Sequence, residues 1–548
     1  MKETRANRLK CWAVDLAGGR GRLWLIVAML AAAFSLRAYR LWEPPLDFHP
    51  TRQYIGASVA RSYYFNMNSS IPEWRRNIAQ IAKDQQELLE PQIVPTIAAL
   101  SYRVVGGEHL WIPRMYSVFA WLACGVVLLS IAKKLGLSPP ARLWALAVHL
   151  FLPFSVLNSR VFQPDPLMVL LMFLTMLFSL SYDRDPGWRR LLALSALAAT
   201  TLFVKPVCVF MLFAVFAALM WARLGWKRTA SHPHLYAFTA LMLAPALAYY
   251  ACQLSSGGFI GEQAEATFVP GLLVKPSFWF GWMKMLGRNI GLQGLVAALV
   301  GIAFISDNRA HWFLGGAWFG YFCYGLFFTY HIHTHDYYSM MAIPMAALSI
   351  GPVMVRLTGF IVRQWQTRRV QLLSAVAALG VVCGVGALGM LKLASAGKLT
   401  STMKGRIKAV GSVFGADMKL FLFLGRGIDE RGEVERYEEI GELVGHSDKT
   451  LYLTHDHGKS LLYHGEVAGV NWPGQAEFKR RTLMGQAELD CTALLKRHIV
   501  EDAMAYFVAT ELDEFRKQPD VVAVLDQSHT LLASNAFYRV YELKKPAP

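Results

Sequence analysis

Between residues 109 and 397 the acidic residues are only Asp165, Asp183, Asp185, Glu262, Glu265, Asp307 and Asp336. Asp165 stands in "NSRVFQPDPLMVLLMFL" (158–174), just behind Arg160 and directly ahead of an apolar run. A carboxylate at the mouth of a membrane helix is costly to place, so its position asks for a functional reason. Helix capping is the plain alternative, because "QPDP" reads as a helix start with Pro at the first helical position. Asp336 has a similar setting, beside His331, His333 and His335 in "HIHTHDYY" (331–338). Asp47 lies just past the first apolar run in "PPLDFHPTRQ", with His49 and Arg52 close by, and Glu90 sits in "LLEPQ". Carboxylates can take a proton and fixed cations can stabilise a developing anion. Asp183, Asp185 and Asp307 sit among Arg residues and read as solvated loop charges. The His-rich stretch admits a metal site, a phosphate or sugar contact, or a structural loop. Zinc more often draws on helical i,i+4 pairs or on several segments.

The elements that must position these residues are membrane spans. The chain of 548 residues is 54% hydrophobic with mean hydropathy +0.32, and the apolar residues come in long runs. Runs of membrane length fall at 23–41, 111–132, 142–158, 166–182, 190–204, 206–222, 235–252, 290–306, 312–330, 338–356 and 370–392, about eleven spans. The basic stretch ahead of "LWLIVAMLAAAFSL" reads as the flank of an uncleaved first span. The net charge of +17 divides into +19 over residues 1–397 and −2 over 398–548. The basic residues lie between apolar runs, which excludes a nucleic-acid face and fits cytoplasmic loops. "AKKLGLSPPAR", "DRDPGWRR", "RLGWKRTASH", "DNRAH" and "VRLTGFIVRQWQTRRV" mark one side. The opposite side receives loop 42–92, the hinge 158–165, loop 254–289, "HIHTHDYY" and the C-terminal region. Four separate segments thus bring carboxylates and cations to one membrane depth.

Loop 42–92 is too polar to span. "PTRQYIGASVARSYYFN" reads as a Tyr-rich helix lying at the interface, and "EPQIVPTIAALSYRVVG" as a second. From about residue 398 the pattern changes to a soluble α/β domain. "KLFLFLG", "TLYLTH", "DVVAVLD" and "FYRVYEL" alternate like strands, while "RYEEIGELVGH" and "CTALLKRHIVEDAMAYF" read as helices. No internal repeat and no ATP-binding loop occurs. The seven Cys show no CxxC pair, so neither a disulfide framework nor a zinc site is visible.

Taken in order, these features resemble a known pattern. It comprises an acidic residue after the first span, a Tyr-rich interfacial helix, and "EP" opening a second one. "SR…PD" before the fourth span, "KP" between two spans and "HDYYSMMAIP" near the tenth complete it. Together they resemble the GT-C superfamily of membrane glycosyltransferases, in the family 39 branch of protein O-mannosyltransferases and the lipid A aminoarabinose transferase. The resemblance covers roughly residues 23–390. It implies a GT-C-like polytopic α-helical catalytic domain (1–397) and an extracytoplasmic α/β domain (398–548). It also implies a polyprenyl-phosphate-linked sugar donor and a lipid, glycan or protein hydroxyl acceptor. The setting would be the outer face of a bacterial inner membrane. Asp47 would be the general base, and Asp165 and Glu90 the other acidic positions. The family's first motif often reads Asp-Glu; here it reads Asp-Phe-His, with His49 at or beside the place of the second acid. A divalent metal remains open.

The leaving phosphate gains negative charge as the glycosidic bond breaks, and fixed cations in a poorly hydrated site lower that barrier. Arg52, Arg160, Lys205 and His335 are the candidates, with Asp336, Tyr337 and Tyr338 lining the donor side. Direct displacement would invert the anomeric carbon. Two rival readings are a secondary transporter, which usually shows paired halves and broken mid-membrane helices, and a non-catalytic membrane scaffold.

Overall fold

The computed structural model describes residues 19–86, 88, 90–255, 267–367, 430–483 and 487–543. Ten of the eleven expected runs coincide with helices, and the eleventh, 370–392, lies outside the described residues. The first helix, α1 (Gly19–Ala38), leads to three helices on the loop side: α2 (Pro50–Asn66), α3 (Glu73–Asp84) and α4 (Ile93–Val105). Then come α5 (Trp111–Lys134), α6 (Pro139–Phe151), α7 (Pro153–Asn158), α8 (Asp165–Arg184), α9 (Trp188–Val204) and α10 (Val209–Leu224). The short α11 (Trp226–Ala230) precedes α12 (Pro233–Ser255), α13 (Pro276–Ile290), α14 (Leu292–Ile302), α15 (Asn308–Phe327), α16 (Thr329–Thr334) and α17 (Ala342–Thr367). Among the described residues six helical stretches are long and apolar enough to cross a membrane, and the bent pair α13–α14 makes a seventh if counted as one span. The protein is a polytopic α-helical membrane protein.

The bundle closes through small residues. A Cβ added to Gly320 on α15 would lie 2.6 Å from the Met211 Cα on α10, and one on Gly351 would lie 2.3 Å from the Ala141 carbonyl oxygen on α6. Backbones approach this closely only without side chains between them. One continuous apolar core runs through the bundle, including Trp121, Met172, Met211, Leu314 and Ile343.

Three breaks shape the face that carries the acids. Leu152 precedes Pro153 and is extended (φ −58°, ψ 134°), so the run 142–158 is two helices, α6 and α7, rather than one. Lys205 precedes Pro206 and is extended too (φ −162°, ψ 118°), which ends α9. Gly291 adopts φ +73°, open to glycine alone at little cost, and turns α13 away from α14 by 84°. The loop 254–289 therefore contains a helix, α13, whose polar end carries Arg288 and Asn289.

The C-terminal region holds α18 (Glu430–Leu443), β1 (Thr450–Leu453), α19 (Lys459–His464), β2 (Gly469–Asn471), α20 (Gln475–Leu483), α21 (Cys491–Val500), β3 (Tyr506–Ala509), α22 (Leu512–Arg516), α23 (Pro519–Ser528), β4 (Thr530–Ser534) and β5 (Arg539–Glu542). The sheet order is β2-β1-β3-β5-β4, parallel from β2 to β3 and antiparallel beyond. Apolar clusters cover both faces. "TLYLTH" and "FYRVYEL" supply strands as expected, and "KLFLFLG" lies outside the described residues. "DVVAVLD" is helical: Val521 and Leu525, four residues apart, are its buried positions, and Pro519 opens the helix. Its valines favour a strand locally, and packing on one helical face overrides that preference. "CTALLKRHIVEDAMAYF" changes at Val500 from helix to a chain that enters β3.

This region sits on α2. The Tyr54 hydroxyl meets His464 Nε2 at 2.7 Å. Arg61 binds Glu108 and the Tyr463 carbonyl, and Arg75 binds Glu466. Arg431 holds Glu43 at 2.8 Å.

Candidate functional site

The loop after α1 presents Asp47. Its side chain is 8% exposed, with Oδ2 at 3.8 Å from Arg114 and 3.9 Å from Arg160. Both guanidinium groups are pinned by backbone carbonyls. Arg114 donates to Leu41 and Glu43 (both 2.8 Å) and to Arg160 (3.2 Å), and Arg160 donates to Arg40 (3.0 Å). Arg37, at the end of α1, donates to Ser159 Oγ at 2.6 Å and to the Leu150 carbonyl at 2.8 Å, so the first span fixes the 158–160 turn. Gln53 ties the two together: its Nε2 donates to the Phe48 carbonyl at 2.7 Å, and its Oε1 accepts from the Phe162 N–H at 2.9 Å. Asp47 Oδ1 is buried and has no hydrogen-bond partner among the described residues.

Asp165 is held differently. The proline break at Lys205 turns that side chain toward the start of α8, where Nζ donates to both carboxylate oxygens at 2.9 and 3.0 Å. Both residues are buried, and no side-chain cap bond is made at this helix start. The carboxylate therefore binds a cation rather than capping its helix. Glu90 Oε1 stands 3.9 Å from the same Nζ, so one lysine joins Glu90 and Asp165. Asp165 pairs with Lys205, and Arg160 with Asp47. The sequence neighbours Arg160 and Asp165 are not partners.

Asp336 is the third station. Its Oδ1 meets His49 Nε2 at 2.8 Å and its Oδ2 meets Arg288 at 2.7 Å, while Asn289 donates to its carbonyl at 2.8 Å. The adjacent histidines are not its partners. Residues 329–334 form a helical turn, so the three rings do not line one side as they would in an extended segment. His331 and His335 face each other at 5.8 Å, and His333 packs on Phe278. Burial, helped by His335 and Arg52, holds His331 down to about 3; burial and Arg52 hold His335 down to about 4. His335 is therefore a neutral ring near neutral pH, not a fixed cation. Among the described residues no group of three His, Cys, Asp or Glu side chains is placed to hold a metal ion.

The stations connect. His49 opens α2 in the left-handed region (φ 48°), a strained conformation for a non-glycine residue. Its ring lies against Phe48 and Tyr337. Arg52, one turn on, donates to the Tyr337 hydroxyl at 3.2 Å. Lys205 Nζ lies 5.5 Å from the Tyr337 ring and 5.2 Å from that of Tyr338. A hollow with about 580 Å³ of empty space opens beside this chain. Arg52, Glu90, Gln92 and Gln163 give it polar walls, and Ile55, Val94, Phe162 and Val204 apolar ones.

The structure thus places Asp47 with Arg160, Glu90 and Asp165 with Lys205, and Asp336 with His49, while Tyr337 touches Arg52, His49 and Lys205. Arg114 and Arg288 escaped the sequence reading. An arginine three residues into a membrane-length apolar run was the available signal for Arg114. Arg288 had none, because its segment reads as a loop. Glu430, the start of α18, also reaches the Asp47 group: it accepts from Arg40 at 3.3 Å and is 5% exposed. Burial and the nearby Asp47 push its carboxyl up to about 7.

Residues 90–250 match the sequence profile described as dolichyl-phosphate-mannose-protein mannosyltransferase. No curated protein matches the chain. In structure the chain is similar to ArnT from Cupriavidus metallidurans. The form bound to undecaprenyl phosphate gives a TM-score of 0.56 at 14% identity, covering 96% of this chain and 98% of that one. The apo form gives 0.57 at 13% identity, with the same coverage. At such identities the likeness is one of fold, and it extends over nearly the whole of both chains. The profile match and the fold agree with the resemblance to the GT-C superfamily.

Proposed function

We propose that this chain is a membrane glycosyltransferase that moves a sugar from a polyprenyl-phosphate donor to an acceptor hydroxyl, with Asp47 as general base. The observation that carries the reading is the Asp47 carboxylate, buried between two pinned guanidinium groups with Oδ1 unbonded. An acceptor O–H donates to that oxygen and passes its proton there as the hydroxyl oxygen attacks the anomeric carbon. The bond to the donor phosphate breaks on the opposite side, which inverts the carbon. Arg114 and Arg160 flank the Asp47 carboxylate and fix its position. Arg160 therefore acts on the acceptor side and not on the phosphate.

The donor phosphate goes to the hollow beside Arg52, with the Asp165–Lys205–Glu90 group behind it. Burial makes each fixed charge there count for more than it would in water. His49, Asp336, Tyr337 and Tyr338 form the wall between the two halves. The undecaprenyl phosphate named for ArnT supports a carrier of that class here. The asymmetry of Lys and Arg between loops supports an extracytoplasmic site in a bacterial inner membrane. The C-terminal region then covers the acceptor side from outside.

The test is transfer of radiolabel from a polyprenyl-phosphate sugar in membranes. Asp47→Asn should abolish transfer while the protein is made and folds normally. Normal transfer by that variant would overturn the assignment of Asp47.

A further inference from the structure

The opposite end of the bundle holds a second feature that the reaction does not use. Arg114 and Lys133 lie 19 positions apart on α5, about 28 Å along the helix axis at the usual rise per residue. That is close to the thickness of a bilayer's hydrocarbon core. At this far end a gap with about 1010 Å³ of empty space opens between α1, α5 and the start of α6. Arg22, Lys133 and Arg142 line it from three different helices, and Leu23, Ile26 and Leu129 line the part deeper in the bundle. Among the described residues that line it there is no Asp or Glu. Arg22 and Arg142 are near enough for their charges to repel one another.

Two further observations mark the gap as a site. Its edge includes Pro139, the first residue of α6, whose N-cap Ser138 makes no side-chain cap bond. A helix N-terminus adds partial positive charge to the three cations. The gap also has a structural origin. Near the Asp47 end, Arg37 locks α1 to the end of α6, to α7 and to the residue after it through Leu150, Ser155 and Ser159. Only 11% of its apolar window is buried, so α1 lies at the edge of the bundle with most of its surface facing outward. The result is a wedge, apolar within and cationic at the rim, in the layer where lipid head groups lie.

We infer that this wedge binds an anionic phospholipid, its phosphate among Arg22, Lys133 and Arg142 and its acyl chains against Leu23, Ile26 and Leu129. The chemistry favours a lipid over a free anion, because the apolar half of the wedge has no use in holding a small ion. Basic pockets between helices at the membrane surface recognise anionic head groups in this way.

The experiment uses the full chain purified in a zwitterionic detergent. Phosphatidylglycerol should raise the melting temperature by about 3 °C or more, whereas phosphatidylcholine or inorganic phosphate should not. Native mass spectrometry should show phosphatidylglycerol retained on the protein. The triple variant Arg22→Gln, Lys133→Gln, Arg142→Gln should lose both effects. The charge-keeping set Arg22→Lys, Lys133→Arg, Arg142→Lys should keep them. Lys227→Gln with Arg228→Gln, on α11, should keep them as well. If the triple variant does not fold, the exposed Lys133→Gln alone should weaken retention. The inference fails if phosphatidylcholine or inorganic phosphate stabilises as well as phosphatidylglycerol does. It also fails if the glutamine variants retain the full effect.

Discussion

Asp47 and Asp165 occupy the same end of the bundle, 8% and 3% exposed, yet their surroundings differ in kind. Asp165 has both oxygens on one ammonium at hydrogen-bond distance. Asp47 stands 3.8–3.9 Å from two guanidinium groups that are already bonded to backbone carbonyls, and its Oδ1 has no hydrogen-bond partner among the described residues. A carboxylate that is fully bonded cannot also accept a proton from substrate without breaking its pair. The first arrangement holds a charge in place and the second leaves an acceptor available. Under the proposed function the contrast is that of a positioning carboxylate and a chemical one, although the sequence sets both beside basic residues.

The comparison can be broken most forcefully at Asp47. Asp47→Asn keeps the shape and removes the base, so transfer should fall about 10²- to 10⁴-fold with little change in melting temperature. Equal losses of activity and stability would erase the distinction. Lys205→Met attacks the other side. It leaves a carboxylate buried without its cation, and should destabilise the protein by roughly 3–5 kcal/mol. Adding Asp165→Asn should recover much of that loss in a double-mutant cycle, and additive effects would deny the pairing.

Smaller effects sharpen the contrast. Gln53→Ala removes the tether between the Asp47 loop and Phe162, with its bonds to the Pro45 and Phe48 carbonyls and the Phe162 N–H, at about 1–3 kcal/mol. With Asp47 in its proposed role, Gln53→Ala should lower kcat more than it raises KM for the donor. The smallest effect is at Glu430. Its carboxyl is raised in the folded protein to about 7 from an ordinary 4.5. Such a group favours the folded state fully below the lower value, and that contribution is lost as pH rises through the higher one. Glu430→Gln imitates the neutral form. It should gain stability relative to the wild type between about pH 4.5 and 7, read from melting temperatures across that window. No pH dependence in the difference would place Glu430 outside the Asp47 group.

Much of the frame was legible in the residues. The limits of "PTRQYIGASVARSYYFN" are those of α2, since Pro50 opens the helix and the stretch has no internal breaker. Spans are legible because the hydrophobic requirement of a bilayer is written in composition. The acids stood out because they are few. Partners were not legible. Arg160 is five residues from Asp165 and binds Asp47 instead, while Lys205, forty residues away, reaches Asp165 across a helix pair. At "DVVAVLD" β propensity pointed one way and the register of buried positions the other.

The chain by itself determined that it crosses a membrane repeatedly, that a break falls at Lys205–Pro206, and which few ionisable groups must be accommodated at one end. Proline, glycine and apolar run length act locally, so their consequences can be read residue by residue. Which cation each carboxylate receives, and which oxygen is left open, was decided by the tertiary structure. Those outcomes depend on distances of 3–4 Å between segments far apart in sequence, and only the packing of the helices sets them.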